Sequence, residues 1–230
     1  MSLLLFEEVT AVVHEGRAEI RALDRVTMDL DVGEVVAVQG QRRSGRTTLL
    51  RIASGATRPN GGRVMFAGRD LAERRALGRE IGWAHPHLDA THGRTVVDQV
   101  AFPLLPEMSA RKARRAAAGA LERTGIGGLA AMGPVDCRHH ELLLAGLARA
   151  MVTSPRMLVL DEPTTGLDAL RVDRMVTLLR ELGREGVAVL LTTEDVIVGA
   201  DRMLTIHEGE VRGRTTPQSA RIFGLRGGAA

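Results

Sequence analysis

The run LVLDEPTTGLD, from Leu158 to Asp168, decides the fold. It continues an apolar stretch that opens at Met157 and stops at two adjacent carboxylates, Asp161 and Glu162, with Pro163 behind them. An unbroken apolar run ending so abruptly is the pattern of a strand buried on both faces of a parallel sheet. In an open α/β sheet the ligand crevice lies outside the carboxyl ends of the strands, which puts both acids at its rim. Alone, the letters DEP fit two solvated acids at a strand end equally well, so the flanking sequence has to choose.

Upstream, GEVVAVQG gives a second buried strand, Val35 to Val38, and GQRRSGRTT follows it at residues 40–48. This is the outline of a phosphate-binding loop, G-x-x-x-x-G-K-[ST], with Arg46 in the lysine position and Arg43 where a glycine is common. In such a loop, backbone N–H groups and a helix N-terminus cradle phosphate. Gly40, Ser44, Gly45, Arg46, Thr47, Thr48 and Asp161 are the candidate nucleotide-binding residues. The Thr47 hydroxyl and Asp161 are the candidate Mg²⁺ ligands, and Glu162 is the candidate base for an attacking water. Arg46 keeps the positive charge, but a planar guanidinium is not a compact ammonium. That an arginine-heavy chain with one lysine, Lys112, uses arginine here does not account for Arg43. A side chain at a left-handed position costs about 1–2 kcal/mol. Arg42 and Arg43 either hold phosphate from outside or fill the nest themselves.

Further outward, residues 3–13 and 18–32 alternate as antiparallel strands, TTLLRIASG reads as a helix stopped by Gly55, and GGRVMFAGRDL as another strand between turns. The texture then turns helical: Ser109 is placed to cap ARKARRAAAGALERTG, closed by Gly125, and ELLLAGLARAMV is a second helix ending before Pro155. Past the DEP strand, Val172, Met175, Val176, Leu179 and Leu182 are spaced as one face of a helix. GVAVLLTTED is a further buried strand and RMLTIHEGEV an outer one. The expected fold is an α/β domain with a mostly parallel core. Residues 1–84 and 152–222 make the core, 85–151 an inserted helical subdomain, and 223–230 a disordered tail.

Thirty-one basic against 28 acidic residues leave a net charge of +3, too little to imply a nucleic-acid partner. Cys137 is the one cysteine, so no internal disulfide forms and a reducing, cytosolic compartment is expected. No apolar run approaches the ~18 residues that span a bilayer, and MSLLLFEEV lacks the basic region of a signal peptide. Any membrane role has to come through a partner. The basic run Arg111, Lys112, Arg114, Arg115 is read as a solvated helix face, and Trp83 as a packing residue.

GEVVAVQGQRRSGRTTLLRIASG, ARAMVTSPRMLVLDEPTTGLD and VAVLLTTED stand in the order and spacing of the ATP-binding cassette (ABC) transporter ATPase subunits, and the chain resembles that family over nearly its whole length. VVDQVAFPL and TSPRMLVLDEP look most like its lipoprotein-releasing and macrolide-exporter group. The resemblance implies a P-loop NTPase (RecA-like) core with an N-terminal antiparallel β subdomain and an inserted helical subdomain. It also implies ATP and Mg²⁺ as cofactors, and two cassettes that sandwich nucleotide between one subunit's phosphate loop and the other's signature segment. Membrane-spanning transporter subunits are the implied partners, with the cassette on the inner face of the membrane.

Against that pattern the chain departs in four places. The loop carries Arg43 and Arg46. Pro86 stands where the family has a glutamine that touches Mg²⁺ and the attacking water. The signature, usually L-S-G-G-Q, aligns with CRHHE, where His139 and His140 replace glycines and Glu141 brings a like charge to the phosphate. Glu194 stands at the switch-histidine position, where an ionised carboxylate repels a γ-phosphate by several kcal/mol at an effective dielectric constant of about 20. Val13 and His14 fall where an adenine-stacking aromatic is usual, and the histidines at 85, 87, 92, 139 and 140 match no standard metal spacing. The reading is therefore a degenerate cassette that holds nucleotide without efficient hydrolysis and serves membrane-spanning subunits beside a second, intact cassette. The alternative is an active ATPase with an arginine-containing loop. A soluble ABC protein working on nucleic acid fits one cassette of this charge poorly.

Overall fold

The computed structural model of the chain describes residues 2–16, 18–73, 79–84 and 95–215. Two sheets and a helical region share the structure. The first sheet is antiparallel, in the order β2-β1-β4-β5, from β1 (Ser2–Glu15), β2 (Ala18–Asp31), β4 (Gly61–Phe66) and β5 (Arg69–Asp70). The second runs β10-β9-β3-β8-β7-β6, from β3 (Val35–Gln39), β6 (Ile81–Ala84), β7 (Met157–Leu160), β8 (Ala188–Thr193), β9 (Arg202–His207) and β10 (Glu210–Thr215). Its strands from β9 to β6 are parallel and β10 alone is antiparallel.

The unbroken apolar runs follow from cover on both faces. Val36 and Val38 of β3, with Met157 and Val159 of β7, pack towards the antiparallel sheet and α1 (Arg46–Ala53) through Leu49, Leu50 and Ile52. The alternate residues Val35, Ala37, Leu158 and Leu160 pack towards α4 (His139–Met151) and α5 (Ala169–Arg184). Each such large side chain contributes roughly 1.5–3 kcal/mol by leaving water. On α5, Met175, Val176, Leu179 and Leu182 are buried, the face that the spacing predicts.

Between β6 and β7 in the chain, α2 (Val96–Ala101), α3 (Ala110–Arg123) and α4 close a separate apolar cluster around Val100, Ala117, Leu121, Ala145 and Ala148. Alanines on α3 let the helices approach closely, while Arg111, Lys112, Arg114 and Arg115 face outward. Arg114 is paired there with Asp98 at 2.6 Å, and this guanidinium holds the Asp98 carboxyl below its ordinary range.

Three sequence expectations change. The strand at 202–207 is not the outer one: it bonds β3 on one side and β10 on the other, and β10 forms the edge. Ser109 stands at the N-cap of α3 but its side chain makes no capping bond. The helix expected from Glu141 begins two residues earlier, at His139. The tail at 223–230 lies outside the described residues.

Candidate functional site

The strand order assembles the site. β8 lies between β3 and β7, so the segments leaving the carboxyl ends of all three meet at one place on the sheet edge. From β3 comes the loop Gly40–Gly45 and the first turn of α1; from β7 come Asp161 and Glu162; from β8 comes Glu194.

The loop has the shape of a phosphate nest. Gly45 is left-handed at φ 106, and a Cβ there would lie 2.1 Å from the carbonyl oxygen of Ala22. A Cβ on Gly40 would meet the Ser44 hydroxyl at 2.5 Å. Arg43 does occupy the glycine-type conformation, at φ 66, and bears the strain expected of it. The loop is pinned by Gly40 N–H donating to the Thr193 carbonyl at 3.0 Å and Gly209 N–H donating to the Ser44 carbonyl at 3.0 Å.

Thr47 and Asp161 meet: the Thr47 hydroxyl donates to Asp161 Oδ2 at 3.0 Å. Thr192, fully buried at the end of β8, donates its hydroxyl to Asp161 Oδ1 at 2.6 Å and accepts the Glu162 N–H at 3.2 Å. One threonine thus orients the Asp161 carboxylate and anchors the Glu162 backbone. Glu162 is itself left-handed, at φ 48, and its Oε2 accepts from Thr165 at 2.9 Å. Sequence reasoning passed over Thr192 and Thr165; the signal available was a threonine closing an otherwise apolar buried strand.

Arg46 is the centre of the arrangement. Its side chain is 6 % exposed, and its Nη2 donates to Glu162 Oε1 at 2.5 Å and to Glu194 Oε1 at 3.1 Å. The sequence alone set Glu194 facing the phosphate as a repelling charge; in the structure it is paired with Arg46, and Gln39 Nε2 donates to its backbone carbonyl at 3.1 Å. Exchange of lysine for arginine and the carboxylate at the switch position are therefore two halves of one contact. Both bonds come from one nitrogen, Nη2, so the rest of the guanidinium is left over for other acceptors.

Whether phosphate fits is answered by what is left unbonded. The Ser44 hydroxyl and Arg46 Nη1 are buried and have no hydrogen-bond partner. Buried orphan donors are costly unless something supplies an acceptor. A cavity of about 590 Å³ opens on Arg42, Arg43, Arg46, Thr47 and Glu162. Free donors, a glycine nest and a Thr47–Asp161 pair fit a phosphate group with Mg²⁺, with Ser44, Arg46 and the loop amides on phosphate and Thr47 and Asp161 on the metal. Thr48, half-buried in the first turn of α1, is at the loop's inner end.

The signature-position segment is closed. Arg138 is the N-cap of α4, and its N–H donates to Glu141 Oε2 at 2.7 Å. Glu141 thereby spends its carboxylate on its own helix end rather than projecting it. Next to it, the half-buried Cys137 thiol is pushed up, first by burial and then by the Glu141 and Asp136 charges. His139 lies near Gly166 of the TTGLD turn, whose Asp168 accepts the Arg171 N–H at 2.9 Å and caps α5. That backbone bond, before any other cause, holds the Asp168 carboxyl below its ordinary range.

Val13 and His14 lie on β1, with His14 exposed and 3.4 Å from Glu19. Trp83 packs against the core between the sheets. Pro86 and the histidines at 85, 87 and 92 lie outside the described residues, and among the described residues no group of three or more His, Cys, Asp or Glu is placed to hold a metal by itself.

Residues 23–165 match the ABC transporter family model. The chain belongs to that family. The cell division ATP-binding protein FtsE of Escherichia coli is 33% identical over 220 residues, covering 92% of this chain and 98% of FtsE. The methionine import ATP-binding protein MetN of Cereibacter sphaeroides is 33% identical over 208 residues, or 86% of this chain, which spans 58% of MetN's length. An ATP-binding cassette solved as a dimer in a post-hydrolysis state, with ADP and phosphate bound, superposes with a TM-score of 0.85 over 94% of this chain and 99% of its own, at 24% identity. That likeness bears on the fold, a P-loop NTPase cassette. Among the described residues no helix of this ABC cassette is long and apolar enough to cross a membrane.

Proposed function

We propose that this ABC cassette is the nucleotide-binding subunit of a membrane transporter complex and that it holds nucleotide without efficient hydrolysis. The observation that carries the reading is the Glu162–Arg46–Glu194 cluster. Glu162 is the candidate base, and a base whose lone pairs are committed to a guanidinium at 2.5 Å and to Thr165 at 2.9 Å is poorly placed to take a proton from water. The Thr47–Asp161 pair and the free donors of the loop support retained binding. Bound ATP with Mg²⁺ would be held by Gly40, Ser44, Gly45, Arg46, Thr47, Thr48 and Asp161, with Thr47 and Asp161 on the metal and the loop on the phosphates.

Residues 1–84 and 152–222 act as the core and 85–151 as the helical subdomain through which membrane-spanning subunits are moved. The cassette works on the cytoplasmic face, peripheral to the membrane, a reading supported by its likeness to ATP-binding proteins of cell division and methionine import. A second cassette completes the sandwich. The closed signature segment of this chain supports a different, intact chain as that partner, because two copies would pair impaired with impaired. The lipoprotein-releasing and macrolide-exporter group remains the subgroup favoured by VVDQVAFPL and TSPRMLVLDEP.

Phosphate release from Mg-ATP tests the reading. No turnover above background is expected, in wild type or in Glu162→Gln. Turnover that Glu162→Gln abolishes overturns it in favour of an active ATPase. In that second reading Arg46 lies on the phosphates, and Arg46→Ala removes the activity as well.

A further inference from the structure

The two ends of the Arg46 guanidinium meet different surroundings. Nη2 is held by the carboxylates of Glu162 and Glu194, while Nη1 is buried without a partner, as is the Ser44 hydroxyl in the same loop. Ser44 is 7 % exposed and Arg46 6 %, so both unpartnered donors are held out of solvent. The donors still without an acceptor are thus Ser44 and one end of the Arg46 guanidinium, while the other end is already filled with negative charge.

We propose that this loop accepts a nucleoside diphosphate in preference to a triphosphate, and that Glu194, acting with Glu162 on Arg46, sets the preference. The inference rests on the reading of the loop as a nucleotide site. A terminal phosphate seated on the Ser44 hydroxyl, Arg46 Nη1 and the loop amides leaves both Nη2 ion pairs intact. One phosphoryl group more has to draw Nη2 away from two carboxylates and then lie beside them. Both steps oppose it: charge-assisted bonds are lost, and like charges are brought together where water is partly excluded. Arg42 and Arg43 line the same opening and attract any polyphosphate, ATP more than ADP for its extra charge, so the preference is the margin by which Glu162 and Glu194 outweigh them.

The test is calorimetric titration of the full chain with ADP and with ATP, each with and without Mg²⁺, at one ionic strength. The expected result is ADP binding tighter than ATP by at least about tenfold, near 1.4 kcal/mol. Glu194→Gln removes one of the two charges and is expected to tighten ATP by about fivefold or more while ADP stays within about twofold. Glu194→Asp, which keeps the charge, is expected to keep the preference. ATP binding as tightly as ADP in the wild type overturns the inference and leaves the nucleotide-site reading standing. Binding of neither at millimolar concentration overturns both. Should Glu194→Gln fail to fold, by its melting curve, the wild-type comparison and Glu162→Gln decide alone.

Discussion

The phosphate loop and the signature-position segment both depart from the family's pattern, and they depart in opposite ways. In the loop the backbone nest is kept and the changed side chains answer one another: Arg46 takes the lysine's place and Glu194, more than a hundred residues on, pairs with it at 3.1 Å. Donors are still left over for a ligand. At the signature position an acid turns back on its own helix. Glu141 accepts the Arg138 N–H at 2.7 Å, at the start of α4. A helix N-terminus binds an anion through unsatisfied N–H groups, so a side chain that caps it competes with the anion. One region keeps buried donors without partners; the other returns a carboxylate to its own helix end.

The comparison breaks most easily at Gly45. If the loop is kept for a ligand, its backbone must be intolerant, and Gly45→Ala is expected to be the most damaging change. It forces a Cβ to within 2.1 Å of the Ala22 carbonyl at φ 106, with no flexible side chain to give way. A loss of about 3 kcal/mol is expected, a fall in Tm of roughly 6–12 °C for a chain of this size, with nucleotide binding gone. A Tm within a degree or two of wild type shows that the loop relaxes freely, and the contrast with the signature segment fails.

Thr192→Val is next. The isosteric methyl leaves Asp161 Oδ1 and the Glu162 N–H without their shared hydroxyl, in a place 0 % exposed. Leaving such buried groups unsatisfied costs about 1–3 kcal/mol. Mg²⁺-dependent nucleotide binding is expected to weaken further than Mg²⁺-free binding, because Asp161 loses its orientation. Equal weakening places Thr192 in the core alone.

Most of the fold was legible in the sequence. Apolar runs without alternation marked strands covered on both faces, and Val35 to Val38 and Met157 to Leu160 are those strands. Gly40, Gly45, Thr47, Asp161 and Glu162 could be placed because their chemistry is local: a nest, a hydroxyl, two acids at a strand end. What escaped was pairwise. Glu194 beside a phosphate repels and Glu194 beside Arg46 attracts, and only the strand order β3-β8-β7 says which neighbour it meets. The partner of Glu141 escaped for the same reason at shorter range: starting α4 at His139 makes Glu141 the third residue of the helix, where a carboxylate bonds back to the cap and keeps its charge at the helix start. The same strand order hid the role of Thr192 and made 202–207 an inner strand.

Glu141→Ala gives the smallest effect and the finest test of sealing. Loss of the back-bond at the start of α4 is expected to cost about 1 kcal/mol. Cys137 reports it independently. Burial and the Glu141 and Asp136 charges raise its thiol pKa, so at pH 8 less of it is thiolate than in a free cysteine, and iodoacetamide labelling is expected to be slow. Raising the pH increases the rate, with a midpoint above the ordinary thiol value. Removing the Glu141 carboxylate takes away one of the charges that oppose thiolate and loosens the turn that buries the sulfur, so labelling speeds up by a few-fold on both counts. A stability loss without faster labelling says that the segment stays shut on its other contacts; faster labelling without a stability loss says that Glu141 acts there by charge alone. Only the two together make the Arg138–Glu141 bond the closure of this surface, as the buried, unpartnered donors of Ser44 and Arg46 make the loop its opposite.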